Sequence, residues 1–119
     1  MGRHPETMNA GLCLQILSPA PGQTVAAGSE LIVRVQVALA CGCPAGAGGR
    51  YDYRRFQVRA ALLGPNGVER GFALAPGRGA GELTGRVGVE LAGEHLLVVE
   101  GYDPESGFAG RGKRGFRAR

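Results

Sequence analysis

Residues 30–40 read Glu-Leu-Ile-Val-Arg-Val-Gln-Val-Ala-Leu-Ala. Leu31, Val33, Val35, Val37 and Leu39 fall on alternate positions, with Glu30, Arg34 and Gln36 between them. A strict period of two puts the apolar set on one face of a strand and rules out a helix. One face is buried and one is wet, which is how antiparallel sheets are usually arranged.

The same grammar extends in both directions. Towards the N-terminus, Leu12-Cys-Leu-Gln-Ile-Leu17 reads as a first strand. Ser18-Pro-Ala-Pro-Gly22 reads as a turn, because Pro19 and Pro21 cannot donate to a ladder. Thr24 and Val25 then continue the strand on the other sheet. Residues 1–10 carry no pattern and are expected to form a loose arm, leaving 11–119 as the domain.

Towards the C-terminus, Cys41 to Arg50 holds four Gly and one Pro and reads as the longest loop. Phe56, Val58, Ala60 and Leu62 alternate with Gln57 and Arg59. Gly64-Pro-Asn-Gly67 closes a hairpin, and Val68 to Leu74 returns. After a second Gly-rich loop at 75–81, Leu83, Val87, Val89 and Leu91 form a strand. His95, Leu97, Val99 and Gly101 face one side of the next, with Glu94 and Glu100 on the other. Residues 112–119 read as a last, edge-like strand whose Lys and Arg discourage edge pairing. About seven strands, turns every 8–12 residues and no helical period predict an all-β immunoglobulin-like antiparallel sandwich. Its core is expected at Val33, Val35, Val37, Phe56, Val58, Val87, Val89, Leu97 and Val99.

Composition agrees with this. Gly is 22 of 119 residues, over twice its usual share in a globular chain, and there is no Gly-X-Y period. Trp is absent, with three Tyr and four Phe, so aliphatic side chains must build the core. The net charge of +4 is concentrated at the end, in Arg111, Lys113, Arg114, Arg117 and Arg119. The body of the domain is near neutral, which disfavours nucleic acid as a partner.

No apolar run approaches the ~18 residues of a membrane-spanning helix, so no membrane insertion is expected. Residues 1–6 lack the apolar run of a signal peptide, and Leu12 before Cys13 reads against a lipoprotein signal. A complete chain would then be cytoplasmic. A piece of a longer exported chain would belong to the cell envelope or be secreted.

The run Leu14-Gln-Ile-Leu-Ser-Pro-Ala-Pro-Gly-Gln-Thr-Val25, followed by Gly28 and an apolar strand, resembles the opening of many bacterial immunoglobulin-like domains. Ala92-Gly-Glu-His-Leu-Leu-Val-Val-Glu-Gly-Tyr-Asp103, with Gly107 beyond it, resembles the late strand of the same domains. The resemblance covers residues 12–119 and implies a fold. It implies no activity, because such domains serve as adhesins, enzyme-associated spacers and periplasmic proteins alike. The Ser-Pro opening is also similar to that of copper-resistance sandwich proteins, which carry His or Met ligands near the start. Here that region offers His4 and Met8.

Four groups of residues carry candidate chemistry. Tyr51, Tyr53, Arg54 and Arg55 interleave aromatics with guanidinium groups directly after the long loop. Tyr and Arg are enriched at binding hot spots, so a protein or glycan partner is expected there. The opposing reading is a strand lead-in with solvated Arg. Cys41 and Cys43 are two thiols one residue apart that could share a soft metal or act as a redox pair. A closed zinc site needs about four ligands, and Cys13 with a histidine would have to complete it. If the first strand pairs with 30–40, Cys13 lies near Val37 and away from Cys41. His95 takes the place where these domains often carry a tyrosine that bonds back to the chain, and it is expected to be structural. Asp103-Pro-Glu-Ser-Gly107 offers two carboxylates, too few for a good calcium site, and reads as a turn. Arg78, between Gly77 and Gly79, could meet an anion, but neither Gly-rich loop has the sequence of a phosphate loop.

No convergent acid, base and nucleophile is apparent. The expectation is a non-catalytic binding or spacer module acting through loops at one end, with no cofactor. The competing classes are a small metal or thiol-redox protein using Cys41 and Cys43, and a polyanion binder using the basic tail.

Overall fold

The computed structural model describes residues 11–39, 55–79 and 81–119. Nine strands lie among them: β1 (Leu12–Ser18), β2 (Thr24–Val25), β3 (Ser29–Leu39), β4 (Gln57–Leu63), β5 (Glu69–Phe72), β6 (Ala75–Pro76), β7 (Glu82–Val89), β8 (Gly93–Tyr102) and β9 (Ala109–Ala118). They form two sheets. One has the order β1-β3-β7-β6, and the other has β2-β9-β8-β4-β5. The fold is the expected two-sheet sandwich, with nine strands in place of about seven. The two beyond seven are β2 and β6, each two residues long, where the chain changes sheets.

The alternation in β3 is fully expressed. Leu31, Val33, Val35, Val37 and Leu39 are all buried. They meet Leu12, Leu14 and Ile16 of β1 and, across the sandwich, Ala60, Leu62, Leu97, Val99 and Phe116. Burying each of the larger side chains contributes roughly 1.5–3 kcal/mol. Val58 is half-buried at the margin of this core. Its partner on β8 is Gly101, which has no side chain to cover it.

Three local expectations need correction. Residues 68–74 do not return as one strand. β5 pairs with β4 only as far as Phe72, and Ala75–Pro76 then joins β7 in the other sheet. Leu91 is not in a strand. β7 stops at Val89, and Leu91 stands in the turn, 45% exposed. The C-terminal strand is ten residues long and pairs with β8 along its whole length, while β2 runs parallel to it at Arg117 and Ala118. It is therefore covered on both sides only near its end, beside β2, and it carries Phe116 into the core.

Glycine has a specific use in β9. A Cβ on Gly110 would sit 2.3 Å from the carbonyl oxygen of Leu12, and one on Gly112 would sit 2.6 Å from that of Leu14. β1 thus lies over β9 backbone against backbone. Gly67 has a second use. It ends the β4–β5 hairpin at φ +81°, where a side chain is disfavoured. Its amide donates to the Gly64 carbonyl at 3.0 Å.

Candidate functional site

The pairing registers collect one set of loops at one end. Leu12 of β1 is opposite Leu39 of β3, and Tyr102 of β8 is opposite both Gln57 and Ala109. The end of β3, the start of β4, the turn 103–108 and the start of β1 therefore share an end. The β4–β5 hairpin and the turn 90–92 occupy the other.

Asp103 organises the loop end. Its carboxylate is fully buried and accepts four hydrogen bonds. Arg55 donates from Nε to Oδ1 (3.2 Å) and from Nη2 to Oδ2 (3.3 Å). The Glu105 amide donates to Oδ1 at 3.1 Å, and the Ser106 hydroxyl to Oδ2 at 2.7 Å. Main-chain bonds close the turn: the Asp103 amide donates to the Phe108 carbonyl and the Gly107 amide to the Asp103 carbonyl, both at 2.8 Å. Burial pushes the Asp103 carboxyl up. Its hydrogen bonds from Arg55, Ser106 and the Glu105 amide, with the charge of Arg55, more than offset that and hold it below the ordinary carboxylate range. Of the two carboxylates weighed for calcium, Asp103 is thus committed to Arg55 and the turn. Arg55 also reaches Glu105 at 3.4 Å and stands 5.7 Å from the ring centroid of Phe56.

At the other end of β8, His95 is buried. Its Nδ1–H donates to the Gly93 carbonyl at 3.1 Å, which fixes the tautomer, because a carbonyl can only accept. Its ring stacks on Phe116, with centroids 5.2 Å apart and planes 15° apart.

The remaining sequence candidates divide plainly. Of the Tyr51, Tyr53, Arg54, Arg55 group, only Arg55 is among the described residues. Cys41 and Cys43 lie outside them, as do His4 and Met8. Cys13 is exposed and pairs with Ala38, one position from Val37. Among the described residues no three His, Cys, Asp or Glu side chains gather as metal ligands. All of the basic C-terminal residues but Arg119 are part of β9. Arg111 pairs with Glu100, Arg117 pairs with Glu94, and Arg114 donates to the Pro19 carbonyl at 2.7 Å.

Two features went unread in the sequence. Arg34 donates to Glu82 at 2.7 Å. That hydrogen bond holds the Glu82 carboxyl below its ordinary range, against burial, with help from the Gly79 amide and the charges of Arg34 and Arg78. The second is a cavity of about 590 Å³ on the outer face of the five-stranded sheet. It is lined mainly by Gln57, Arg59, Glu100, Tyr102, Ala109 and Arg111. The register could have revealed it, since these residues form two adjacent cross-strand rows.

No protein-family profile and no curated protein sequence matches the chain. Solved structures do. The filamin domain of Lin-41 superposes with a TM-score of 0.61 at 17% identity, over 92% of this chain and 98% of that one. CopC from Methylosinus trichosporium OB3b gives a TM-score of 0.55 at 18% identity, over 89% and 93%. A DUF4785 family protein from Legionella pneumophila gives 0.59 at 13% identity, over 90% of this chain but 28% of that one. Identities this low speak for the fold alone. The two-sheet order, the length of the superpositions and the paired core strands together identify the chain as an immunoglobulin-like β-sandwich.

Proposed function

We propose that the chain is a non-catalytic immunoglobulin-like module that holds a protein or glycan partner at the loop end of the sandwich. The observation that carries this reading is the Arg55–Asp103 bridge. It ties the point where residues 40–54 rejoin the sandwich to the turn between β8 and β9. Loops on a rigid scaffold are where such domains place recognition. Here the scaffold beside the loop is held by a buried, fully bonded carboxylate. Tyr51, Tyr53 and Arg54 immediately precede that anchor in the chain. In this reading they supply the contacts, with Arg55 as the anchor.

The polyanion reading loses ground, because Arg111 and Arg117 are paired with Glu100 and Glu94. Removing residues 111–119 would also remove Phe116 and most of β9, so that deletion tests folding and not binding. The discriminating experiment is affinity capture with the intact protein and with a Tyr51→Ala, Tyr53→Ala variant. Loss of the captured partners in the variant supports the loop reading. Recovery of the same partners defeats it.

A further inference from the structure

The outer face of the five-stranded sheet carries a second site that the loop reading does not use. Three strands contribute to it in register. Gln57, Tyr102 and Ala109 form one row across β4, β8 and β9, and Arg59, Glu100 and Arg111 form the next. The cavity over these rows has a volume of about 590 Å³, within the roughly 300–1,000 Å³ usual for small-ligand sites. Its concavity comes from the sequence. Ala109 stands opposite Tyr102, so a small side chain sits beside one large ring.

The chemistry of the lining is unbalanced. Two guanidinium groups flank one carboxylate. Arg111 pairs with Glu100 at 3.4 Å. Arg59, directly across from Glu100, has no hydrogen-bond or ion-pair partner among the described residues. The row therefore retains one uncompensated positive charge. Beside it, the Tyr102 ring is 45% exposed and the Gln57 amide faces solvent. An exposed aromatic ring, a planar amide and an unpaired guanidinium match the apolar face, hydroxyls and carboxylate of an acidic sugar.

The backbone argues against a peptide at this place. β8 is paired with β9 on one side from Gly93 to Tyr102, and with β4 on the other from Leu96 to Tyr102. No strand edge is open at Tyr102 or Glu100 for an added strand. A peptide laid there would leave its own N–H and C=O groups to side chains alone, at a cost in desolvation.

We propose that the cavity over Arg59, Glu100, Arg111, Tyr102 and Gln57 binds the uronate unit of an acidic oligosaccharide. Arg59 takes the carboxylate, the Tyr102 ring stacks on the sugar's C–H face, and Gln57 and Glu100 bond its hydroxyls.

The test is calorimetric titration of the intact protein with a galacturonate oligomer, alongside the neutral galactose oligomer and poly-glutamate. The galacturonate oligomer should bind, the neutral oligomer should bind about tenfold more weakly, and added salt should weaken the acidic ligand. Arg59→Gln and Tyr102→Ala should each weaken binding about tenfold. Both side chains are exposed, so near-unchanged melting temperatures are expected and would show that the fold persists. Tyr51→Ala, Tyr53→Ala should leave the uronate affinity unchanged, which separates this site from the loop site. Absence of binding, equal affinity for the neutral oligomer, tighter binding of poly-glutamate, or indifference to both Arg59→Gln and Tyr102→Ala would overturn the assignment.

Discussion

A buried polar side chain lies near each end of β8, His95 within it and Asp103 directly after it, and the two are held differently. At the hairpin end, His95 makes a single local bond to Gly93, and its ring lies flat on Phe116. At the loop end, Asp103 is a buried carboxylate held by four donors, two of them from an arginine 48 positions away in the chain. An imidazole ring can be accommodated by packing with one hydrogen bond. A buried charge needs a partner and a full set of donors. The hairpin end is therefore stabilised mainly by packing, and the loop end by a bonded charge network. That division can be broken at either side.

The largest effect should come from the packing end. Phe116 is 1% exposed and lies under the His95 ring. Phe116→Ala should cost about 3–5 kcal/mol, measured as a fall in the urea midpoint at unchanged slope. A loss below about 1 kcal/mol would mean that the core there is not packed as described.

Asp103→Ala comes next. It strands the Ser106 hydroxyl, the Glu105 amide and much of Arg55, and should cost about 2–3 kcal/mol in equilibrium unfolding. Because the network pins the turn 103–108, amide exchange should also speed up there before it does in β3. Uniform exchange across both regions would remove the distinction between the two ends.

His95→Ala should be milder, about 1–2 kcal/mol by thermal melting, since one hydrogen bond and one stacked ring are lost. His95→Phe would separate the two contributions. It keeps the stack and deletes the bond. If His95→Phe is as damaging as His95→Ala, the hydrogen bond and not the packing dominates, and the contrast with Asp103 narrows.

The smallest and most specific effect is on pH. The Asp103 carboxyl titrates below its ordinary value in the folded protein. Its stabilising contribution is then fully present above the unfolded value of about 3.9 and is lost as pH falls through the lower folded value. Asp103→Asn removes that contribution at every pH. The stability gap between the intact protein and Asp103→Asn should therefore be constant near neutrality and close on acidification below about pH 4. A gap that persists into strong acid would show that the loop end does not depend on the charge. Glu82 is also held low, by Arg34, so the intact protein should lose more stability in acid than Asp103 alone explains.

Much of the framework could be read from the sequence. Period-two alternation gave the faces of β3 and β8, and Asn66-Gly67 marked the hairpin. What alternation cannot supply is the identity of partners distant in the chain. It placed Arg55 near a loop but not against Asp103. A partial signal was available: an aspartate with serine three positions on, in Asp103-Pro-Glu-Ser106, suits a side-chain-capped turn. The sheet change at Ala75–Pro76 was hidden because a Gly-rich stretch reads as loop whether or not two residues pair. Gly110 and Gly112 read as weak strand residues. Their role depends on Leu12 and Leu14 arriving from the far end of the chain, which local composition does not record. The cavity over Tyr102 was missed because it arises from register, three strands deep, and not from any contiguous motif.

The seating of β1 on Gly110 and Gly112 also bears on how the chain is made. A polypeptide emerging from the ribosome presents residues 12–18 well before residues 109–118. β1 can pair with β3 early, but its resting place on β9 does not exist until residues 109–118 have followed. Non-local closure of this kind slows folding. Until it is complete, Leu12, Leu14 and Ile16 lack their cover on that side. A side chain at either glycine would deny β1 its seat on β9 however late in folding that contact forms.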